Sequence, residues 1–271
     1  MLRSVVVLLC LMLGAALAQP APVFLDAVSA ARASGEPAHP DQPAWRSAIR
    51  AGEQAQAAAP ADTATVRLLA ELYSEVAWYI RAYETWLDYA SLSGEAPETA
   101  AFSEAAHQLG FARWRAGDAA GALAIYDTLL GFQADNAPAL YWAARIRLES
   151  GEGNEAGELF ARLLDQDHAG IPADQLQLAD DVAVYGPEAA LAFARGITYY
   201  ELGQLEPALG QFQAAFEIDR TFTYAAVWSG RTALELGDPG LAAGYWRWAT
   251  ELDPADERSR YFLDLAERLL A

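Results

Sequence analysis

Four glycines repeat at a fixed interval along this chain and restrict what it can fold into. Gly117 and Gly151 are 34 residues apart, and so are Gly203 and Gly237. In each copy an alanine follows the glycine by five residues and an aromatic residue follows it by nine. The alanines are Ala122, Ala156, Ala208 and Ala242, and the aromatics are Tyr126, Phe160, Phe212 and Trp246. Three signals in phase over four copies predict an array of repeated helical hairpins.

Each repeated position has a physical explanation. The glycine ends the first helix of a hairpin in a conformation that a Cβ would penalise. The alanine lies on the second helix and leaves room for the first helix to approach closely. The aromatic side chain, four residues later on the same face, fills the space above the alanine. One hairpin cannot bury its apolar face alone, so neighbouring hairpins must stack to form the core.

The repeat resembles the tetratricopeptide-repeat family. The segment from Tyr199 to Ala208, the run from Phe212 to Asp219 and the closing Glu251-Leu252-Asp253-Pro254 are all similar to the family pattern. The tryptophan that is common early in a unit of this family is missing, and Ala106, Leu140, Ala192 and Ala226 stand in its place. The resemblance implies an all-α solenoid of helical hairpins without a sheet.

The spacing also predicts how the chain is divided. The weakest of the predicted units has Ala77 where a turn glycine is expected. The N-terminal residues are interpreted as two helices, Phe24–Ser34 and Gln42–Ala59, which read as a degenerate repeat. The predicted segments are a signal peptide at 1–18, N-terminal helices at 19–62, repeat units at 63–96, 103–136 and 137–170, an inserted helix at 171–188, units at 189–222 and 223–256, and a capping helix at 257–271.

The inserted segment interrupts the period. Gly151 and Gly203 are 52 residues apart, which is one period plus 18. The extra residues contain a predicted helix from Asp174 to Tyr185, which Gly186-Pro187 would end. An unpaired helix would exchange the inner and outer layers of everything after it unless it packs outside the array. Two arrangements therefore remain open: one continuous array, or two short arrays joined at about residue 180.

The first residues are predicted to direct export. Arg3 is the only charge before a charge-free run from Ser4 to Leu17, and the run ends in Ala16-Leu17-Ala18. This pattern is typical of a secretory signal peptide that is cut before Gln19. The run is too short to cross the ~30 Å hydrocarbon core of a bilayer as a helix. We therefore expect the protein in the periplasm or outside the cell, with no direct membrane insertion after cleavage.

Composition narrows the classes of partner and chemistry. With 18 basic and 37 acidic residues, the formal net charge is −19, which argues against a nucleic-acid partner. Cys10, the only cysteine, lies in the predicted signal peptide, so the mature chain would have no disulfide and no thiolate metal site. No metal is predicted at Asp165-Gln166-Asp167-His168, because Leu176 stands where a calcium loop needs an acidic residue. No catalytic residue and no cofactor are predicted, because the sequence carries no enzyme signature.

The candidate binding surface comes from the resemblance. In this family the first helix of each unit lines the concave face, mainly through its second, fifth, ninth and twelfth positions. Carried onto this chain, those positions include His107, Phe111, Trp114, Tyr141, Arg145, Phe193, Tyr200, Tyr224 and Arg231. Aromatic rings and arginine carry much of the binding energy at protein interfaces. The opposing interpretation is that the rings pack between units, while Arg145 and Arg231 form ordinary helix-surface pairs with Glu149 and Glu235.

The sequence thus favours a non-catalytic scaffold that binds a protein or peptide partner in the periplasm or cell envelope. Two other classes of function remain open. One is an accessory subunit or enzyme that acts on cell-wall polymer, and the other is a self-assembling structural protein. The carboxylate clamp of chaperone-linked members of the family is not expected, since it relies on lysine and asparagine, and the candidate positions have neither.

Overall fold

The computed structural model describes residues 20–166 and 170–271. In those residues the chain forms fourteen α-helices and no strand, so the predicted all-α fold is confirmed. The predicted signal peptide and His168 lie outside the described residues. Within the described ranges, no helix is both long and apolar enough to cross a membrane.

The chain divides into two compact units, one ending at Asn136 and the other beginning at Ala137. We call them the N-terminal unit and the C-terminal unit. The N-terminal unit contains α1 (Pro22–Ala33), α2 (Pro43–Ala58), α3 (Thr63–Glu75), α4 (Tyr79–Ser93), α5 (Ala100–Arg115) and α6 (Ala119–Phe132). The C-terminal unit contains α7 (Ala137–Glu149), α8 (Gly153–Leu164), α9 (Ala173–Tyr185), α10 (Pro187–Glu201), α11 (Leu205–Ile218), α12 (Thr223–Glu235), α13 (Pro239–Leu252) and α14 (Glu257–Leu270).

Left-handed residues form the hairpin turns. Gly117, Gly151, Gly203 and Gly237 have φ values of 85°, 87°, 72° and 83°. Ala77, in the first repeat, has the same hand with φ 57°, although it carries a Cβ. The turn geometry is therefore kept even where the glycine is missing, and Ala77 bears the conformational strain of a left-handed non-glycine residue.

Side chains and prolines fix where many helices begin. Asp118 accepts the backbone N–H of Gly121 at the start of α6, and Asp238 accepts that of Leu241 at the start of α13. Proline occupies the first turn of α1, α2, α10 and α13, where a missing N–H costs no helical hydrogen bond. These local signals explain why the observed boundaries lie close to those predicted from the sequence.

In the N-terminal unit each helix packs on the next, and α3 also contacts α5, the first helix of the following repeat. The rings of Tyr83 on α4 and Phe102 on α5 stack with their centroids 6.0 Å apart. Trp86 and Phe102 are completely buried, as are Ala122 and Tyr126 of the hairpin motif. Stacking between hairpins, and not only contact within them, therefore forms this core.

The inserted helix α9 lies within the C-terminal unit, not at its boundary. It packs against α8 and α10, while α10 also contacts both α7 and α8. At its end, the ring of Tyr185 stacks on Phe222, with 3.8 Å between centroids and 12° between planes. Residue 180 therefore lies inside the C-terminal unit, where α9 packs beside its neighbours and α10 stays in contact with the preceding hairpin.

The C-terminal unit ends in the expected helix. Asp256 accepts backbone N–H groups of Arg258 and Ser259 and so caps α14. Phe262 of α14 then stacks on Trp246 of α13, with centroids 5.1 Å apart. The ring of Trp246 is almost fully buried as a result.

Candidate functional site

Four side chains meet on the first helices of two successive repeats in the C-terminal unit. Tyr200 lies near the end of α10, and Trp228, Arg231 and Glu235 follow one another along α12. The rings of Tyr200 and Trp228 meet edge to face, with centroids 5.0 Å apart. The Cζ atom of Arg231 lies 5.1 Å from the centroid of Tyr200 and 4.9 Å from that of Trp228. We call these four residues the first-helix cluster.

Hydrogen bonds fix the polar side of the first-helix cluster. The Nε of Arg231 donates to Oε1 of Glu235 at 3.2 Å, and the hydroxyl of Tyr200 donates to the same oxygen. Burial and the bond to Glu235 raise the pKa of Tyr200, so this hydroxyl keeps its proton at neutral pH. The side chains of Arg231 and Glu235 nevertheless remain 53% and 39% exposed. The cluster is therefore both ordered and accessible.

A related arrangement occurs on α7. The same spacing of tryptophan, arginine and glutamate as on α12 is found there in Trp142, Arg145 and Glu149. The Cζ atom of Arg145 lies 5.4 Å from the ring centroid of Trp142. Arg145 donates from Nε to Glu149 and from Nη1 to the hydroxyl of Tyr141, both at 3.1 Å. Sequence reasoning missed both tryptophans, because the family's position rule selects the residue directly before each of them and not the tryptophan itself. The shared pattern of Trp, Arg and Glu was visible in the sequence and was the signal that could have found them.

Two of the predicted site residues are buried. Phe193 packs between Phe212 and Phe222, with ring centroids 5.6 Å and 4.8 Å away. Tyr141 meets Phe160 at 6.2 Å in an edge-on contact. These two rings therefore contribute to packing and present little surface to a partner.

Tyr224 is the most accessible of the predicted residues on α12. Its side chain is 59% exposed, and it lies two turns before Arg231 on the same face of the helix. Seven residues of α-helix separate the two by about 10 Å along the axis. Tyr200, Tyr224 and Arg231 are thus the predicted residues that form an accessible surface in the C-terminal unit.

The three predicted residues of the N-terminal unit form a row of rings on α5. The ring of Phe111 stacks on His107 at 6.2 Å and on Trp114 at 5.8 Å. The hydroxyl of Tyr126 donates to the backbone carbonyl of His107 at 3.3 Å. Burial lowers the pKa of His107, so the imidazole is neutral at neutral pH. All three side chains of this row are partly buried.

An apolar groove of about 500 Å³ lies on another side of α5. Its floor consists of α5 residues at helical spacing, and its walls come from α4 and α6. Sequence reasoning did not predict it, because its two walls are formed by second helices, whose apolar residues were assigned to packing. Its lining includes Ile80, Tyr83, Leu109, Ala112, Arg113 and Ile125.

Within residues 20–166 and 170–271, no group of three or more histidine, cysteine, aspartate or glutamate side chains is arranged to hold a metal ion. The accessible chemistry of the first-helix cluster is that of hydrogen bonding and ring contact. Such groups can bind a ligand without altering it covalently.

Part of this chain matches a known family, and solved structures are similar to it at low identity. Residues 113–178 match the tetratricopeptide repeat family. A tetratricopeptide repeat protein from Parabacteroides merdae is 15% identical, with 91% of this chain and 100% of that chain covered and a TM-score of 0.43. PilW, a type IV pilus biogenesis factor, is 16% identical over 92% of this chain and 97% of its own, with a TM-score of 0.31. YrrB, described as having an unusual peptide-binding site, is 12% identical over 92% of each chain, with a TM-score of 0.33.

A search of curated proteins gives no match to this sequence. The family match lies on α5 to α9, where the left-handed turns at Gly117 and Gly151 and the buried Ala122 and Ala156 have the positions described above. Residues 113–178 thus match the tetratricopeptide repeat family, and the hairpins that follow this range repeat the same left-handed glycine, buried alanine and buried aromatic residue.

Proposed function

We propose that this protein is a non-catalytic scaffold that binds a protein or peptide partner through the first helices of its repeats. The observation that carries the proposal is the first-helix cluster. Two rings hold the guanidinium of Arg231 while its side chain stays half exposed. An ordered arginine loses less conformational freedom on binding than a mobile one, so it can contribute more net affinity.

The surroundings of the cluster support a protein partner. Tyr224 presents an accessible ring on the same face of α12, and arginine and tyrosine are enriched at the centres of protein interfaces. The chain has a formal net charge of −19, which opposes binding to the phosphate backbone of nucleic acid. A partner that combines apolar side chains with hydrogen-bonding groups fits this surface better than a polyanion.

Photocrosslinking tests the proposed binding face. A photoreactive amino acid in place of Tyr224 should cross-link a specific partner in intact cells. The matched control is the same amino acid in place of Trp248, another exposed aromatic residue, which lies on the second helix α13. Cross-linking at position 248 and none at position 224 would contradict a binding site on the first-helix face.

We also propose that the protein acts in the periplasm or cell envelope. The charge-free run from Ser4 to Leu17, followed by Ala18, supports export and cleavage. N-terminal sequencing of protein from the native cell should give Gln19 as the first residue. Retention of Met1, or a lipid attached to Cys10, would contradict this proposal.

A further inference from the structure

We propose that the first-helix cluster binds a main-chain amide group of an extended partner peptide. This inference rests on the proposed function and states what the exposed face of α12 recognises. The cluster places a guanidinium and a carboxylate side by side, since Arg231 and Glu235 are four residues apart on one helix and directly bonded. A donor and an acceptor therefore lie together on an accessible surface.

The guanidinium of Arg231 keeps donors for a ligand. A guanidinium carries five N–H donors in a planar fork. Among the residues that the structure describes, its polar partners are Glu235, which Nε contacts, and the nearby hydroxyl of Tyr200, where the charge of Arg231 partly offsets the rise in the pKa of Tyr200. The rings of Tyr200 and Trp228 hold the plane of the fork. The remaining N–H groups are thus fixed in direction.

The carboxylate of Glu235 keeps an acceptor. Its Oε1 accepts the bonds from Tyr200 and Arg231, while Oε2 has no hydrogen-bond partner within residues 20–166 and 170–271. An ionised carboxylate accepts through both oxygens. Oε2 and the N–H groups of the neighbouring fork consequently form an acceptor and a donor pair. A peptide amide carries the complementary pair, an N–H and a carbonyl oxygen.

The charge of the pair selects an amide over a carboxylate. The charges of Arg231 and Glu235 cancel, and a ligand carboxylate at this position would be attracted by one and repelled by the other at similar distances. A neutral amide meets no such repulsion and can bond to both. The surface is therefore complementary to an uncharged main chain, and not to a C-terminal or side-chain carboxylate.

Tyr224 adds a site for an apolar side chain of the same peptide. It is exposed, and it lies about 10 Å from Arg231 along α12. An extended chain covers that distance with about three residues. An extended segment with an apolar side chain about three residues from the bound amide would thus contact Tyr224 and the cluster at once.

The test uses a defined peptide on the full-length protein. The probe is a seven-residue peptide, Gly-Leu-Ser-Gly-Leu-Ser-Gly, acetylated at one end and amidated at the other. In a series of variant peptides, each peptide carries one N-methyl group on a different main-chain nitrogen. One further variant has a free C-terminal carboxylate in place of the amide. Fluorotryptophan incorporated into the protein reports binding by NMR, with the Trp228 signal assigned from the Trp228→Phe variant.

The capped peptide is expected to shift the Trp228 signal. N-methylation at one main-chain position should weaken binding by about tenfold or more, because it removes the N–H that Glu235 accepts. The variants Arg231→Met and Glu235→Met should lose the shift while their circular dichroism stays helical. Arg67→Met is the matched control, since Arg67 and Glu71 form the same bond on α3 at 3.1 Å with no ring over Arg67 in the described part of the chain.

Two results would overturn the inference. One is equal binding by all the N-methylated peptides, and the other is tighter binding by the peptide with the free carboxylate. If either occurs while position 224 still cross-links a partner in cells, only the amide site fails and the proposed scaffold function stands. If either occurs and position 224 also cross-links no partner in cells, the proposed scaffold function fails as well.

Discussion

A Cβ atom added to Gly196 would lie 2.5 Å from Cδ1 of Phe212, well inside the contact distance of two carbon atoms. The same relationship joins Gly110 to the ring of Tyr126 at 2.8 Å and Gly230 to the ring of Trp246 at 3.0 Å. In each of these hairpins, the first helix lacks a side chain where the second helix places a ring. The aromatic residue of the repeat is therefore packed directly on helix backbone.

We expect Gly196→Ala to destabilise the protein by about 1–3 kcal/mol, as overpacking of a filled site does. The control is Gly210→Ala on α11, where an added Cβ meets no atom within 4 Å. That change should stabilise the helix by about 0.5–1 kcal/mol, because alanine loses less backbone freedom than glycine. Urea denaturation measures both, and equal effects of the two changes would contradict the packing described here.

Ala77→Gly should stabilise the protein, although glycine is usually the more destabilising residue. The left-handed conformation at φ 57° costs alanine about 1–2 kcal/mol, and glycine adopts it without strain. After the greater entropy loss of glycine is subtracted, we expect a net gain of about 0.5–1 kcal/mol. Ala124→Gly, at an exposed position inside α6, serves as the comparison in urea denaturation and should destabilise. A loss of stability in Ala77→Gly would refute the strain at this turn.

Asp181 on α9 should make stability depend on pH. Burial raises its pKa to about 6, against a partial opposing effect of the bond donated by Gln177. The folded state therefore disfavours the ionised form of Asp181. The resulting loss in the free energy of unfolding is absent below about pH 4, grows between pH 4 and pH 6 and is complete above about pH 6. Asp181→Asn should consequently raise Tm at pH 7.5 and change it little at pH 4. Asp180→Asn, on the exposed side of α9, should give a smaller difference of the same sign, because the charge of Asp180 contributes to the raised pKa of Asp181.

Trp246→Ala should cost ~3–5 kcal/mol, the range for truncation of a large buried aromatic side chain. Its ring is 1% exposed and lies between Gly230 and Phe262. Because repeat arrays are stabilised by nearest-neighbour contacts, hydrogen exchange should accelerate within residues 170–271 and much less within residues 20–136. Equal acceleration in both ranges would mean that the two units unfold together.

The double change Tyr224→Ala with Arg231→Ala should weaken partner binding by about tenfold, or about 1.4 kcal/mol, and leave helix content nearly unchanged. Both side chains are largely exposed, so their removal leaves no buried cavity. The corresponding change at Tyr141 and Arg145 is less informative, because Tyr141 is buried and its loss would disturb packing. Partner binding by the Tyr224 and Arg231 variant at the wild-type level, measured by isothermal titration calorimetry, would place the site elsewhere.

The repeated hairpins were predictable because their signals are local. A turn glycine, a buried alanine and an aromatic four residues later each act within one hairpin, so their spacing in the sequence is their spacing in the structure. The inserted helix was predictable for the same reason, since Gly186-Pro187 ends α9 and begins α10. The division between Asn136 and Ala137 was not, because it depends on contacts between hairpins that no local pattern records.

The candidate site was predictable only in part. The family's position rule indicates which side of a helix a residue occupies, but not what packs on that side. Phe193 follows the rule and is nevertheless buried, because Phe222, which precedes α12, covers it. Tyr224 and Arg231 follow the same rule and are exposed. The contact of Arg231 with both Tyr200 and Trp228 could not be predicted from the sequence, because it brings together residues from two repeats.

The packing of α9 has a consequence for the parity of the helical array. In hairpin repeats the helices alternate between first and second, so a single added helix would reverse the role of every later one. Here α10 contacts both α7 and α8, and α9 lies beside that contact. The alternation of first and second helices therefore continues across the insertion. As a result α12 has the position of a first helix, as it would in an array without the inserted helix, and presents Tyr224 and Arg231 accordingly.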